Sequence, residues 1–135
     1  MWLNVDKNQI LQVLFNLMAN AVEAMPNGGE LTVRTYKTYP SLQSVFSSDR
    51  PVCVIEISDR GEGIPKENLQ RLFEPFFTTK RERKGTGLGL SIAKTIVENH
   101  QGDLLIESEP GQGTQVWVLL PLNQEGKNHE KNSDH

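Results

Sequence analysis

Apolar residues recur every three or four positions through the first quarter of the chain: Ile10, Val13, Leu14, Leu17, Met18, Ala21, Val22 and Met25. That spacing predicts an amphipathic helix, with Asp6 as its N-cap and Pro26-Asn27-Gly28-Gly29 ending it. The period falls to two at Leu31-Thr32-Val33-Arg34-Thr35-Tyr36, an alternating strand, and the β-branched residues 52–57 predict a second. Trp2-Leu3-Asn4-Val5 alternates as a short strand end, and residues 39–51, with prolines and serines but no period, read as a loop. Gly61 and Gly63 break the second strand, and residues 65–72 predict a short helix with Pro65 near its first turn. Leu90, Ile92, Ala93, Ile96 and Val97 return to helical spacing and close near His100-Gln101-Gly102. Residues 104–108 and 115–120 predict a hairpin around Pro110-Gly111-Gln112-Gly113, and Pro121 stops the sheet.

Strands at the start, middle and end, with helices between, predict an α+β fold. The expected form is a two-layer sandwich whose mixed sheet is covered on one face by helices. A chain of 135 residues suits one domain with a tail. The expected boundaries are 1–121 for the domain and 122–135 for a polar, disordered tail without apolar anchors. A net charge of -3 supplies no general attraction to nucleic acid. No run is long and apolar enough to span a membrane, and no signal-peptide pattern opens the chain, which points to the cytosolic side. The lone Cys53 lies in an apolar strand pattern and reads as a buried structural thiol.

Three polar clusters interrupt this pattern. Asn16 and Asn20 lie one helical turn apart on the same side of the first helix. Their side-chain carbonyls could meet Mg²⁺, which prefers oxygen ligands; taken alone, the pair reads more simply as a polar stripe or a hydrogen bond to a neighbouring loop. Asp59-Arg60-Gly61-Glu62-Gly63 ends the second strand. A carboxylate there can accept from an amino group, such as that of adenine, and an Asp-Arg-Gly turn is its plainer reading. Gly85-Thr86-Gly87-Leu88-Gly89-Leu90 opens the second long helix behind the basic Lys80, Arg81, Arg83 and Lys84. Glycines at a helix N-terminus let backbone N–H groups approach an anion; a solvated charged loop is the usual account of the basic run. The chain has neither the P-loop nor the dinucleotide-fold glycine spacing.

In this order the segments resemble the ATP-binding catalytic domain of sensor histidine kinases, which has the Bergerat fold of the GHKL superfamily. Residues 16–24, from Asn16, resemble the N box, and Asp59 to Ile64 the G1 box. Phe73-Glu-Pro-Phe76-Phe77-Thr-Thr-Lys80 resembles the F box, and Gly85-Thr86-Gly87-Leu88-Gly89-Leu90 the G2 box. Gly111-Gln-Gly113-Thr114 and the strand ending Leu120-Pro121 are similar to the family's closing strand.

The resemblance implies ATP and Mg²⁺ as ligands. It assigns the adenine amine to Asp59, with Thr114 supporting the base through a water. It makes Asn20 the principal Mg²⁺ ligand, assisted by Asn16, and offers the N–H groups of Gly87, Leu88 and Gly89 to the phosphates. Residues 73–84 become an ATP lid hinged at Gly61, Gly63 and Gly85, anchored by Phe73, Phe76 and Phe77, with Lys80 the first candidate for a phosphate contact.

In ATP-hydrolysing members of the superfamily a glutamate stands one turn before the Mg²⁺ asparagine. Asn16 occupies that position here, and an amide is no base at neutral pH. The resemblance therefore implies ATP held without fast hydrolysis, for transfer of the γ-phosphate to a histidine. That acceptor belongs on a dimerising helical hairpin ahead of this domain. His100, placed to cap a helix, and His129 and His135 in the tail do not fit the part. The expected partners are that upstream domain of a homodimeric parent and a response regulator. The parent is expected in the cytoplasm, with a membrane anchor left open. The family also carries a further strand ahead of Val5. Two other functions remain open at this point: a serine-directed anti-sigma-factor kinase of the same superfamily, and a non-catalytic nucleotide-sensing module.

Overall fold

The computed structural model describes residues 3–39, 51–69, 71 and 89–122. The first element is α1, Lys7–Glu23, followed by β1, Leu31–Thr38, and β2, Val52–Asp59. A short α2, Lys66–Leu69, leads on to α3, Gly89–Asn99. The hairpin of β3, Asp103–Glu109, and β4, Gly113–Pro121, completes the fold.

The strands form one sheet in the order β1-β2-β4-β3. Every pairing among the described residues is antiparallel, where the sequence pattern suggested a mixed sheet. Leu3 to Asp6 are not in the sheet either, although alternation at Trp2 to Val5 reads as a strand end. Alternation is a local property, and a strand exists only where a partner edge meets it.

β2 and β4 are the inner strands, and β2 is buried from Val52 through Ile57 rather than alternating, because Tyr36, Trp117 and Arg34 of the flanking strands lie over its outer face. Cys53, Ile55 and Ile57 face the helices and pack with Val13, Leu17 and Ala21 of α1, Ala93, Ile96 and Val97 of α3, and Leu104, Val116, Val118 and Leu120. Val52, Val54 and Leu119 point the other way, with Tyr36 and Trp117 packed against them. On that outer face Arg34 meets the buried Glu56 at 2.6 Å and lies 5.7 Å from the centre of the Tyr36 ring. Glu56 therefore has its countercharge, which a buried carboxylate requires.

α1 begins as the sequence suggests: the Asp6 carboxylate accepts from Gln9 N–H at 3.0 Å. Its buried line is Val13, Leu17 and Ala21. Val22, placed with the apolar face from the sequence, is instead exposed, as are Leu11 and Phe15. Steps of 100° per residue put these three together on the far side of the helix.

α3 closes with Gly102 N–H donating to Val97 O at 2.8 Å and Gln101 N–H to Glu98 O at 3.0 Å. Gln101, not the glycine, takes the left-handed φ of 59°. Gly102 is required for another reason: a Cβ there would lie 2.3 Å from Leu119 O. Leu122 packs against the helix-side core and its N–H meets Pro51 O at 3.4 Å; residues 123–135 of the expected tail lie outside the described residues.

Candidate functional site

β2 ends at Asp59, and register pairs Asp59 with Thr114 and Thr114 with Ser108. These residues share parity with Ile57, Val116 and Ile106 of the helix-side core, so all three polar side chains face the helices at one end of the sheet. One Asp59 carboxylate oxygen accepts from Gly61 N–H at 2.8 Å, closing an Asx turn. A carboxylate has further lone pairs for a ligand. Thr114 is 9% exposed, and its hydroxyl lies 2.8 Å from that of Ser108.

The loop after β2 is docked on two sides. Glu62 N–H donates to Ala24 O at the end of α1 at 3.2 Å, and Glu62 O accepts from Gly111 N–H in the β3–β4 turn at 2.7 Å. Ile64 N–H donates to the Ser108 hydroxyl at 2.8 Å. A Cβ on Gly61 would stand 2.4 Å from Ala24 O, and one on Gly63, where φ is +74°, would stand 2.2 Å from Glu109 O. At both glycines backbone meets backbone.

On α1, Asn16 and Asn20 are half-buried one turn apart. The Asn16 amide nitrogen donates to Gly89 O, the first residue of α3, at 3.3 Å. A carbonyl can only accept, so the amide must present its nitrogen to Gly89, which leaves the side-chain oxygen for a ligand. That donor chemistry suits a hard cation. Among the described residues no three His, Cys, Asp or Glu side chains gather as a metal site. The bond also ties the helix of the asparagines to the helix that the glycine run opens.

A groove of about 390 Å³ runs along this sheet end. Asp59, Ser108 and Thr114 line it from the helix side, while Thr32, Ser58, Glu107 and Gln115 line it from the outer face. It therefore wraps the end of the sheet and does not reach Asn16, Asn20 or Gly89.

The fold brings Asp59, Gly61, Gly63, Ile64 and Thr114 into one neighbourhood and sets Asn16 against Gly89. Phe73, Phe76, Phe77, Lys80, Arg81, Arg83, Lys84, Gly85, Thr86, Gly87 and Leu88 lie outside the described residues. Sequence reasoning missed Ser108 and the need for glycine at 113. Gly113 has φ +116°, and a Cβ there would be 2.1 Å from Asp59 O. The available signal was parity: Ser108 and Thr114 are the polar members of otherwise apolar inward series in β3 and β4.

His100 binds through both ring nitrogens. Nδ1 lies 2.8 Å from Ile96 O, and Nε2 accepts from Asp6 N–H at 3.0 Å. The ring caps α3, as expected from its position at the helix end.

Residues 5–124 match the family described as Histidine kinase-, DNA gyrase B-, and HSP90-like ATPase. Sporulation kinase C of Bacillus subtilis (strain 168) is 42% identical over 123 residues, covering 91% of this chain and 26% of that protein. Signal transduction histidine-protein kinase AtoS of Escherichia coli (strain K12) is 37% identical over 124 residues, 92% of this chain and 18% of that protein. The chain thus spans about a quarter or less of these two relatives. Among solved structures, the mycobacterial sensor histidine kinase MprB superposes with a TM-score of 0.72 at 30% identity, covering 88% of this chain and 76% of that one. No helix among the described residues is long and apolar enough to cross a membrane. With the match covering nearly all of its packed residues, the chain belongs to the histidine kinase-, DNA gyrase B- and HSP90-like ATPase family.

Proposed function

We propose that this chain binds Mg-ATP and, within a longer parent, presents the γ-phosphate to a histidine on a separate dimerisation domain, for relay to a response regulator. Asp59 accepts the adenine amine, and Thr114 supports the base from the neighbouring strand. Asn20 and Asn16 hold Mg²⁺ against the phosphates, and the N–H groups of Gly87, Leu88 and Gly89 receive the phosphate oxygens. Phe76 and Lys80 belong to the segment that closes over them. The metal supplies charge neutralisation; the chain supplies position. Asn16 donates its amide proton to Gly89 O, so no base stands there to activate water, which favours transfer over hydrolysis.

The observation that carries this reading is the pair of acceptors, Asp59 and Thr114, held as register partners on the helix side of the sheet end. Relatives named as sensor and histidine-protein kinases favour a histidine acceptor over the serine-directed and non-catalytic alternatives. Calorimetric titration with ATP, with and without Mg²⁺, tests it. The expected result is Mg²⁺-dependent binding that Asp59→Asn abolishes. A folded parent chain that binds no ATP overturns the proposal.

A further inference from the structure

We infer that the open edge of β1 and the exposed side of α1 above it form one interface, and that its occupant is a second copy of this chain related by a twofold axis. The inference stands apart from the nucleotide reading.

Among the described residues β1 pairs with β2 alone, so its other edge carries backbone N–H and C=O groups open to a further strand. α1 packs over β1 and β2, while α3 packs beside it over β3 and β4. The side of α1 away from α3 therefore looks out over the β1 edge. That side carries Leu11, Phe15, Met18 and Val22, whose alternating steps of four and three residues are the repeat by which one helix seats against another. Met18 is half-buried, but Leu11, Phe15 and Val22 are 52%, 70% and 58% exposed. Below them Val33, register partner of the inward-facing Ile57, faces the helix layer and is 47% exposed. Scattered singly such residues would be ordinary; gathered on one side they make a patch.

The layering selects the occupant. A lone strand meets the backbone of β1 but lies a layer below the α1 stripe. A lone helix meets the stripe and leaves the edge unpaired. The partner must bring a strand edge with an apolar helix stripe above it, in the same relative placement, and a second copy does so. A twofold axis perpendicular to the sheet sets β1 antiparallel to β1 and α1 antiparallel to α1. The spacings agree: strands about 4.8 Å apart put β1 about 2.4 Å and β2 about 7.2 Å from that axis. α1, seated over the two, lies about 5 Å out, so two copies of it stand about 10 Å apart, the usual distance between packed helices. Asn16 meets Gly89 on the α3 side of the helix, so this pairing leaves the candidate site open.

Sedimentation equilibrium of the chain over a series of concentrations is the test, with circular dichroism to establish that each variant is folded. The chain is expected to dimerise. Phe15→Asp on the helix stripe and Val33→Lys on the strand edge are each expected to raise the dissociation constant about tenfold or more, because each places an unpaired charge in the interface. Both side chains are exposed in the single copy, so neither change disturbs the core. Leu105→Asp, 41% exposed on β3 at the far edge of the sheet, is expected to leave the dimer unchanged. A chain that stays monomeric up to about 1 mM, the weak end of specific affinity, overturns the inference and gives the face to a segment of a longer parent. A dimer that survives both Phe15→Asp and Val33→Lys overturns it as well.

Discussion

The backbone N–H of Asp6 donates to Nε2 of His100 at 3.0 Å, across 94 positions of sequence. Asp6 is the N-cap of α1, and its carboxylate holds Gln9 N–H. His100 holds the Ile96 carbonyl through Nδ1. One imidazole thus joins the start of the first long helix to the end of the second. It does so as the neutral tautomer with its proton on Nδ1, because Nε2 must accept.

His100→Ala removes both bonds and is expected to lower stability by about 1–2 kcal/mol. Urea unfolding should show a lower midpoint with an unchanged slope. An unchanged midpoint would mean that water replaces the imidazole without net loss.

Gly111 and Gly113 both have positive φ in the same turn, +81° and +116°, but their surroundings differ. Nothing lies within 4 Å of a Cβ on Gly111, whereas one on Gly113 meets Asp59 O at 2.1 Å. Gly111→Ala should cost about 1 kcal/mol, the left-handed penalty alone. Gly113→Ala should cost about 2–4 kcal/mol, since backbone must move as well, and should weaken ATP binding by displacing Asp59. Equal losses in thermal unfolding of the two variants would contradict this.

Asn16→Asp separates two jobs of one side chain. A carboxylate is the stronger ligand for Mg²⁺, yet it cannot donate to Gly89 O and would repel it. Mg-ATP is expected to bind about tenfold more weakly to the variant, the worth of a lost bond plus an uncompensated acceptor pair. Tighter binding by calorimetry would show that ligation dominates.

Cys53 is 3% exposed, and burial pushes its thiol above its usual value. The fold therefore favours the protonated thiol. That contribution is complete below the unfolded value of about pH 8.5, and it is lost as pH rises through the raised folded value. The parent should lose urea stability as pH rises above about 8.5, and Cys53→Ala should lose less over that range. Parallel losses would assign the alkaline limb to other groups.

α1 was legible from its spacing and its capping aspartate, because 3.6-residue periodicity and capping depend on residues within a turn of each other. The strands were legible in the same way, though β2 departs from alternation: its outer-face residues Val52, Val54 and Glu56 are buried beside Tyr36, Trp117 and Arg34, side chains of the flanking strands. Val22 shows the converse, an apolar residue at nearly the right spacing that the packing leaves outside.

Asp59, Thr114, Asn16 and Asn20 could be named from the order of their motifs, because residue type carries chemistry wherever it stands. The sequence by itself thus determined the elements, the family and the polar groups available to a ligand. Only the tertiary structure decided the antiparallel order of the sheet, the backbone contacts that demand Gly102 and Gly113, the bond from Asp6 to His100, and the place of Ser108 behind Thr114. Each is a contact between segments far apart in the chain. Such contacts are set by register and close packing of whole elements, and no local pattern encodes them.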